Sequence, residues 1–325
     1  MRKRSHGPSR RAALGLFAGA VALPRAALAG PVETLTGHAF GTGWRITAPE
    51  GADLRRLRTG LEELFAGIDA QLSPWRGDSV LSRFNADPAG RAATDPALTH
   101  VGGAALEIAR LSNGAFDPTV GPLVARWGFG PITQGGGPDW RGVAAGPDGL
   151  TKARDDLTLD LCGIAKGWAL DRAAALAREA GVESLLFDLG GEFVVRGHHP
   201  AGRAWRVAVD SPIPGAPPPA ALRLDDGMAL ATSGTALQGY TLQGRLYSHV
   251  IDPRARAPAG GALRSVTVAA EKAITADGWA TALLAAGDEA GPVLARSLGI
   301  SALFLFAEAG GLRRLATGAM AEMLI

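Results

Sequence analysis

The sequence predicts an α+β fold, with mixed sheets packed against helices. Three observations point there. Strand-like and helix-like segments do not alternate in the regular way a doubly wound chain requires. Short β-rich runs come in pairs around glycines: residues 34–47 around Gly41-Thr42-Gly43, residues 184–196 around Gly190-Gly191, and residues 302–316 near the C-terminus. Between them lie alanine- and leucine-rich stretches with helical periodicity.

In chain order, the first segment is read as a targeting signal. Residues 1–11 carry five positive charges and no carboxylate, an apolar run spans 12–23, and Ala27-Leu28-Ala29 is a small-x-small cleavage pattern. That order describes a secretory signal peptide over residues 1–29. The apolar run is too short for a membrane span. Arg10-Arg11 after Ser9 fits a twin-arginine signal, whose route carries folded proteins; an ordinary signal peptide with incidental arginines is the alternative. The mature chain is then 30–325, with 27 basic and 31 acidic residues, a net of −4. The sequence pI of about 9.0 therefore reflects the signal, and no nucleic-acid surface is implied. Cys162 is the only cysteine, so no internal disulfide is expected, and a lipoprotein anchor is not expected either.

Residues 34–47 read as paired strands. Leu54, Leu57, Leu61, Leu64, Phe65 and Ile68 form one stripe of a helix over 54–72. A second helix runs from Asp95 to Ser112 and stops at Asn113-Gly114. Residues 135–139 form a loop and a possible lobe boundary. A short strand is expected over 157–161, and Gly163 opens an alanine-rich helix ending at Gly181. Strands follow over 184–189, 192–196, 205–209 and 228–232, and the proline cluster 212–219 is an exposed loop. Residues 265–270 are a strand, 276–286 a helix, and 302–316 a closing hairpin.

Five constellations could carry chemistry. Trp75, after Leu72-Ser73-Pro74, sits in a polar turn where its ring could stack on a planar heterocycle such as flavin or adenine, or anchor the loop. Asp117 precedes Pro118 and is held extended or in a turn. The backbone at Ala115 and Phe116 could bond a heterocycle's edge, or Asp117 could simply cap a helix starting at Pro118. Asp160, Gly163 and Lys166 surround the N-terminus of the alanine-rich helix, where free amides and the dipole suit a pyrophosphate. Lys166 is one of four lysines, and a cation there opposes the dipole unless it has an anionic partner or is simply solvated. Cys162 reads as packing, not as a nucleophile. His249 lies in a strand-like run ending at Asp252-Pro253 and could be a general base or a core histidine. Thr275 can cap a helix that puts Asp277 and Thr281 four residues apart on one face. Carboxylate and hydroxyl oxygens suit Mg²⁺, and no His/Cys cluster suggests zinc; a plain helix-face hydrogen bond is the alternative.

Together these motifs resemble the ApbE-type FAD:protein FMN transferases, which include periplasmic flavinyltransferases of nitrous-oxide respiration. The resemblance runs from about Gly37 to Leu284. It rests on Phe40-Gly41-Thr42, residues 72–75, 79–85, 114–130 and 160–171, Gly190-Gly191, Ser233-Gly234, residues 249–253 and residues 276–281. It implies a two-lobed α+β architecture with a central flavin cleft. It further implies FAD contacts at Phe40, Trp75, Ala115, Phe116, Asp117, Asp160, Lys166 and His249. Mg²⁺ is expected at the Gly163 carbonyl and the Asp277 and Thr281 side chains, with His249 as catalytic base. The acceptor is expected to be a threonine in a Ser/Asp-Gly-Ala/Ser-Thr motif of an exported or membrane respiratory or electron-transfer flavoprotein. FAD pyrophosphatase activity and a non-catalytic flavin-binding assembly factor are the alternatives. The chain departs from the pattern at Phe40, where methionine is common, at Asp188, where asparagine is common, and at Arg254-Ala255-Arg256, where Lys/Arg-Thr-Gly is usual.

Overall fold

The computed structural model describes residues 30–236, 239–242 and 245–325, apart from the side chains of residues 245 and 246. The expected signal peptide lies outside the described residues. Eight strands form the central sheet: β1 (Val32–Ala39), β2 (Thr42–Pro49), β3 (Leu185–Leu189), β4 (Glu192–Arg196), β5 (Ala229–Gly234), β6 (Leu263–Ala270), β7 (Ser301–Glu308) and β8 (Gly311–Thr317). They lie side by side in chain order, and every neighbouring pair is antiparallel. The sheet is thus a long meander, and the remaining elements are insertions between its strands.

Residues 50–184, between β2 and β3, hold helices α1 (Arg58–Leu72), α2 (Val80–Ala86), α3 (Pro96–Leu111), α4 (Gly121–Arg126) and α5 (Ala165–Glu179). Helix α6 (Ala273–Ser297) connects β6 to β7, with its path broken at Gly287, where φ is 84°. That break falls just past the end the sequence predicts. The short α7 (Met320–Met323) closes the chain. No described helix is long and apolar enough to cross a membrane.

Strand alternation decides the layers. In β7, Ala302, Phe304 and Phe306 face the helical core, while Leu303 and Leu305 face a second core under the ribbon Trp205–Val209/Ala220–Leu224 and α7. The sheet is therefore buried on both sides at β7, which reads as a nearly continuous apolar run, while the outer strands β1 and β8 keep exposed positions.

The local predictions hold where local chemistry dominates. Asp95 caps α3, accepting from the Leu98 amide at 2.9 Å, and Asn113 and Gly114 end it with φ of 51° and 79°. Two expectations need correction. Residues 157–161 form no strand; the Asn85 side-chain amide brackets Leu159 instead, donating to its carbonyl at 2.9 Å and accepting from its amide at 2.7 Å. One side chain thus does the work of a neighbouring strand. Thr275 does not cap α6, which starts two residues earlier. The Asp171 carboxylate, from α5, accepts from the Ala273 and Ile274 amides at 2.8 and 3.0 Å. The loop 135–139 folds back on its neighbours, with Gly136 N donating to the Asp156 carbonyl and Asp139 N to Thr119 Oγ1.

Candidate functional site

The site grows where the N-terminal ends of α5 and α6 meet above β4 and β5. Close approach needs small residues. A Cβ on Gly167 would lie 2.3 Å from the Ala273 carbonyl oxygen and 2.8 Å from Asp277 Cβ. Gly167 instead donates its amide to Asp277 Oδ2 at 2.9 Å, fixing the carboxylate. One turn along, Thr281 Oγ1 lies 3.1 Å from Ser233 Oγ and donates to the Gly163 carbonyl over 3.4 Å. Asp277, Thr281 and Gly163 are therefore assembled at one junction, with Phe116 closing against Gly163, whose absent Cβ would sit 3.3 Å from Phe116 Cε2.

The segment before α5 runs alongside residues 115–118. Asp160 N donates to the Pro118 carbonyl at 2.7 Å, and Asp160 Oδ1 accepts from Cys162 N at 3.0 Å. Ala115 and Phe116 are buried. Asp117, also buried, accepts from Thr119 N at 2.8 Å and from Thr119 Oγ1 at 2.5 Å. It forms a local turn, and α4 begins only at Gly121. Burial pushes its carboxyl above the ordinary range, against the pull of the Thr119 bonds. Cys162 is exposed, so the packing role expected for it from the sequence is not what the structure shows.

Lys166 does have an anionic partner within the chain. Its ammonium forms an ion pair with Glu192 at the start of β4. Glu192 follows the Gly190-Gly191 turn, and alternation gives it the helix-facing side that Val194 shares. Burial opposes the Lys166 charge, but Glu192 and Asp277 together outweigh it and hold the ammonium protonated. Burial, with Asp277 adding, pushes the Glu192 carboxyl up, while the ion-paired Lys166 ammonium pulls it back. Asp277, 5% exposed, is raised by burial as well. Glu192 is the residue that motif reading passed over. The available signal was an acid at an inward position of a strand buried on both faces.

Other singled-out residues stand apart from this cluster. Phe40 occupies the β1–β2 turn with φ of 52°, its ring edge-on to Phe65 at 5.5 Å. Trp75 is 68% exposed after α1 and has no ring partner among the described residues. His249 sits in a bend just past the strand Arg245–Ser248, not within it. Its ring meets Phe129 edge-on at 6.4 Å. Phe129, Tyr240, Tyr247 and Trp127 continue as three successive stacks at 5.3, 5.4 and 5.5 Å. Trp127 Nε1 donates to the carbonyl of Arg256, 3.3 Å away. Arg256 has a φ of 54°, in the left-handed region. Among the described residues, no three His, Cys, Asp or Glu side chains converge as a metal-binding group.

The chain is similar to known proteins along most of its length. The ApbE family model matches residues 40–304. A FAD:protein FMN transferase of Klebsiella pneumoniae is 34% identical over 308 residues, 88% of each chain. Its Escherichia coli K12 counterpart is 33% identical over 306 residues, 85% of each chain. Among solved structures, the flavin transferase ApbE from Vibrio cholerae superposes with a TM-score of 0.79 at 30% identity, covering 90% of this chain and all of that one. The apo form of Pseudomonas stutzeri flavinyl transferase ApbE gives 0.80 at 33% identity, covering 90% of this chain and 96% of that one. With its meander sheet, its α5–α6 junction and a match that runs nearly end to end, the chain belongs to the ApbE family.

Proposed function

We propose that this chain is a Mg²⁺-dependent FAD:protein FMN transferase that splits FAD to AMP and links FMN through a phosphoester to an acceptor threonine. The observation that carries the reading is the α5–α6 junction. A helix N-terminus, the Lys166 ammonium and three oxygen donors of different kinds meet there. The donor set fits a hard dication: one carboxylate at Asp277, one hydroxyl at Thr281 and one carbonyl at Gly163, with no nitrogen or sulfur among them. Glu192, whose Oε1 holds Lys166, keeps its other oxygen, Oε2, buried and without a partner.

Asp277, Thr281 and the Gly163 carbonyl would hold Mg²⁺, and Lys166 with the first amides of α5 would bind the FAD pyrophosphate. Phe40, Trp75, the 115–117 backbone and Asp160 would position the rest of the dinucleotide. Bound Mg²⁺ would neutralise charge on the pyrophosphate and on the departing AMP. His249 would take the proton from the acceptor threonine. The threonine oxygen would then form a bond to the FMN phosphorus as the bond to the AMP phosphate breaks, and AMP would leave with the electron pair.

The acceptor threonine belongs to a Ser/Asp-Gly-Ala/Ser-Thr segment of a membrane respiratory or electron-transfer flavoprotein. Residues 1–29 take the chain to the periplasm by the twin-arginine route, leaving 30–325 as the transferase domain. With water in place of threonine the same machinery would release free FMN, so the fate of FMN separates transferase from pyrophosphatase. The test combines purified protein, FAD, Mg²⁺ and an acceptor domain bearing the motif. A mass gain of one FMN on the threonine, abolished by EDTA, is expected; absence of any gain sinks the reading.

A further inference from the structure

One carboxylate at the junction has no role in the reaction just described. Glu192 is only 3% exposed and spends one oxygen, Oε1, on the Lys166 ammonium. Its other oxygen, Oε2, is buried and meets no donor. A carboxylate kept only to hold a lysine would be expected to use both oxygens, because an unpaired buried one is expensive. Asp277 adjoins this pair: its Oδ2 accepts at 2.9 Å from the amide of Gly167, the residue after Lys166. Two acidic side chains therefore meet one lysine at the α5 N-terminus.

We propose that Glu192 is a positioning residue of the nucleotide–metal site: Oε1 holds the Lys166 ammonium at the α5 N-terminus, and Oε2 accepts from a water carried by the divalent cation at Asp277. This rests on the Mg²⁺–FAD reading above. Mg²⁺ sheds its waters reluctantly and usually keeps several, so a buried acceptor beside the ligands has a natural partner. Two opposed effects follow from the charge. Glu192 draws a cation into the site. It also repels pyrophosphate and occupies the ammonium that would otherwise meet it.

Two dissociation constants read these effects separately. FAD binding without metal is measured by flavin fluorescence quenching, and Mg²⁺ binding by titrating Mg²⁺ into the FAD complex. Relative to wild type, Glu192→Gln should tighten metal-free FAD binding about threefold and weaken Mg²⁺ binding about tenfold, as expected for removing one partly screened charge. A merely structural role would loosen both constants together. Both weakened, or both unchanged, overturns the proposal. Thermal melts establish that the variant is folded. Should Glu192→Gln not fold, Glu192→Asp keeps the charge but withdraws it from Lys166. It should tighten metal-free FAD binding while leaving the Mg²⁺ constant within about threefold of wild type; weaker FAD binding overturns the proposal. Wild-type protein whose FAD affinity ignores Mg²⁺ overturns this proposal together with the functional reading. Mg²⁺ dependence that is lost in Asp277→Ala but intact in Glu192→Gln overturns this proposal alone.

Discussion

The α5–α6 junction and the segment 239–258 carry two halves of the same proposed chemistry, and they are built in opposite ways. At the junction, backbone meets backbone. Gly167 leaves no room for a Cβ beside Ala273, Asp171 caps the neighbouring helix, and the Gly167 amide holds Asp277. The segment carrying His249 is instead held by side chains. Stacked rings tie Tyr240 and Tyr247 to Trp127 and Phe129 in the loop after α4, and Tyr240 is 40% exposed. A metal needs donors fixed to fractions of an ångström, which a helix–helix contact supplies. A base serving a protein acceptor has to stay reachable, which a surface strip allows.

The comparison breaks first at Asp277. Asp277→Ala should abolish both FMN transfer and FAD hydrolysis, because the pyrophosphate charge is left uncompensated; a large excess of Mg²⁺ should restore part of the rate. Normal transfer without added metal would remove Asp277 from the metal site. His249→Ala comes next. Removing a general base typically costs about 10²–10⁴-fold in rate. Transfer should fall in that range while Mg²⁺-linked FAD binding persists, and alkaline pH should recover some rate. Lost FAD binding in this variant would show that the two regions are not separable.

Gly167→Ala sharpens the contrast without touching a donor atom. Its methyl would meet backbone, not a flexible side chain. Overpacking of this kind costs about 1–3 kcal/mol, read as a lower urea midpoint, and Mg²⁺ affinity should fall with it. An unchanged midpoint would mean that α5 and α6 can slide apart freely. The smallest effect is expected at Tyr240→Ala. Losing an aromatic pair costs about 0.5–1.5 kcal/mol beyond burial, and half-exposed Tyr240 sits at the low end. Transfer rate should drop modestly with Mg²⁺ affinity unchanged; a change in Mg²⁺ affinity would contradict the division between the two regions.

Much of this was legible in the chain. The first hairpin, the Asp95 cap and the Asn113-Gly114 stop rest on neighbours a few residues apart and form where the sequence places them. The stripe expected over 54–72 is buried too, but its first turn, Leu54–Leu57, is a 3-10 helix and the α-helix begins at Arg58. Asp277 and Thr281 were readable as a pair because one helical turn separates them. Glu192 was not, since nothing near it in sequence says that Lys166, 26 residues earlier, will lie across from it. The same holds for Asn85, which replaces an expected strand partner 74 residues away, and for Asp171, which displaces Thr275 as the cap of α6 from a distance of 102 residues.

By itself the sequence determined most of the inward-facing stripes, the ends of elements that local caps and turns set, such as α3 between Asp95 and Asn113-Gly114, and which oxygen and nitrogen groups are available for chemistry. Periodicity, turn residues and local caps act over one or two turns, so they can be read from neighbours alone. Only the tertiary structure decided which of those groups meet. It set the Gly163 carbonyl against Thr281 across 118 residues, and it gave Lys166 its carboxylate on a strand of the central sheet. The reason is physical: an amphipathic pattern specifies that a face will be buried, while the partner that buries it is selected by shape and charge only once the whole meander has closed.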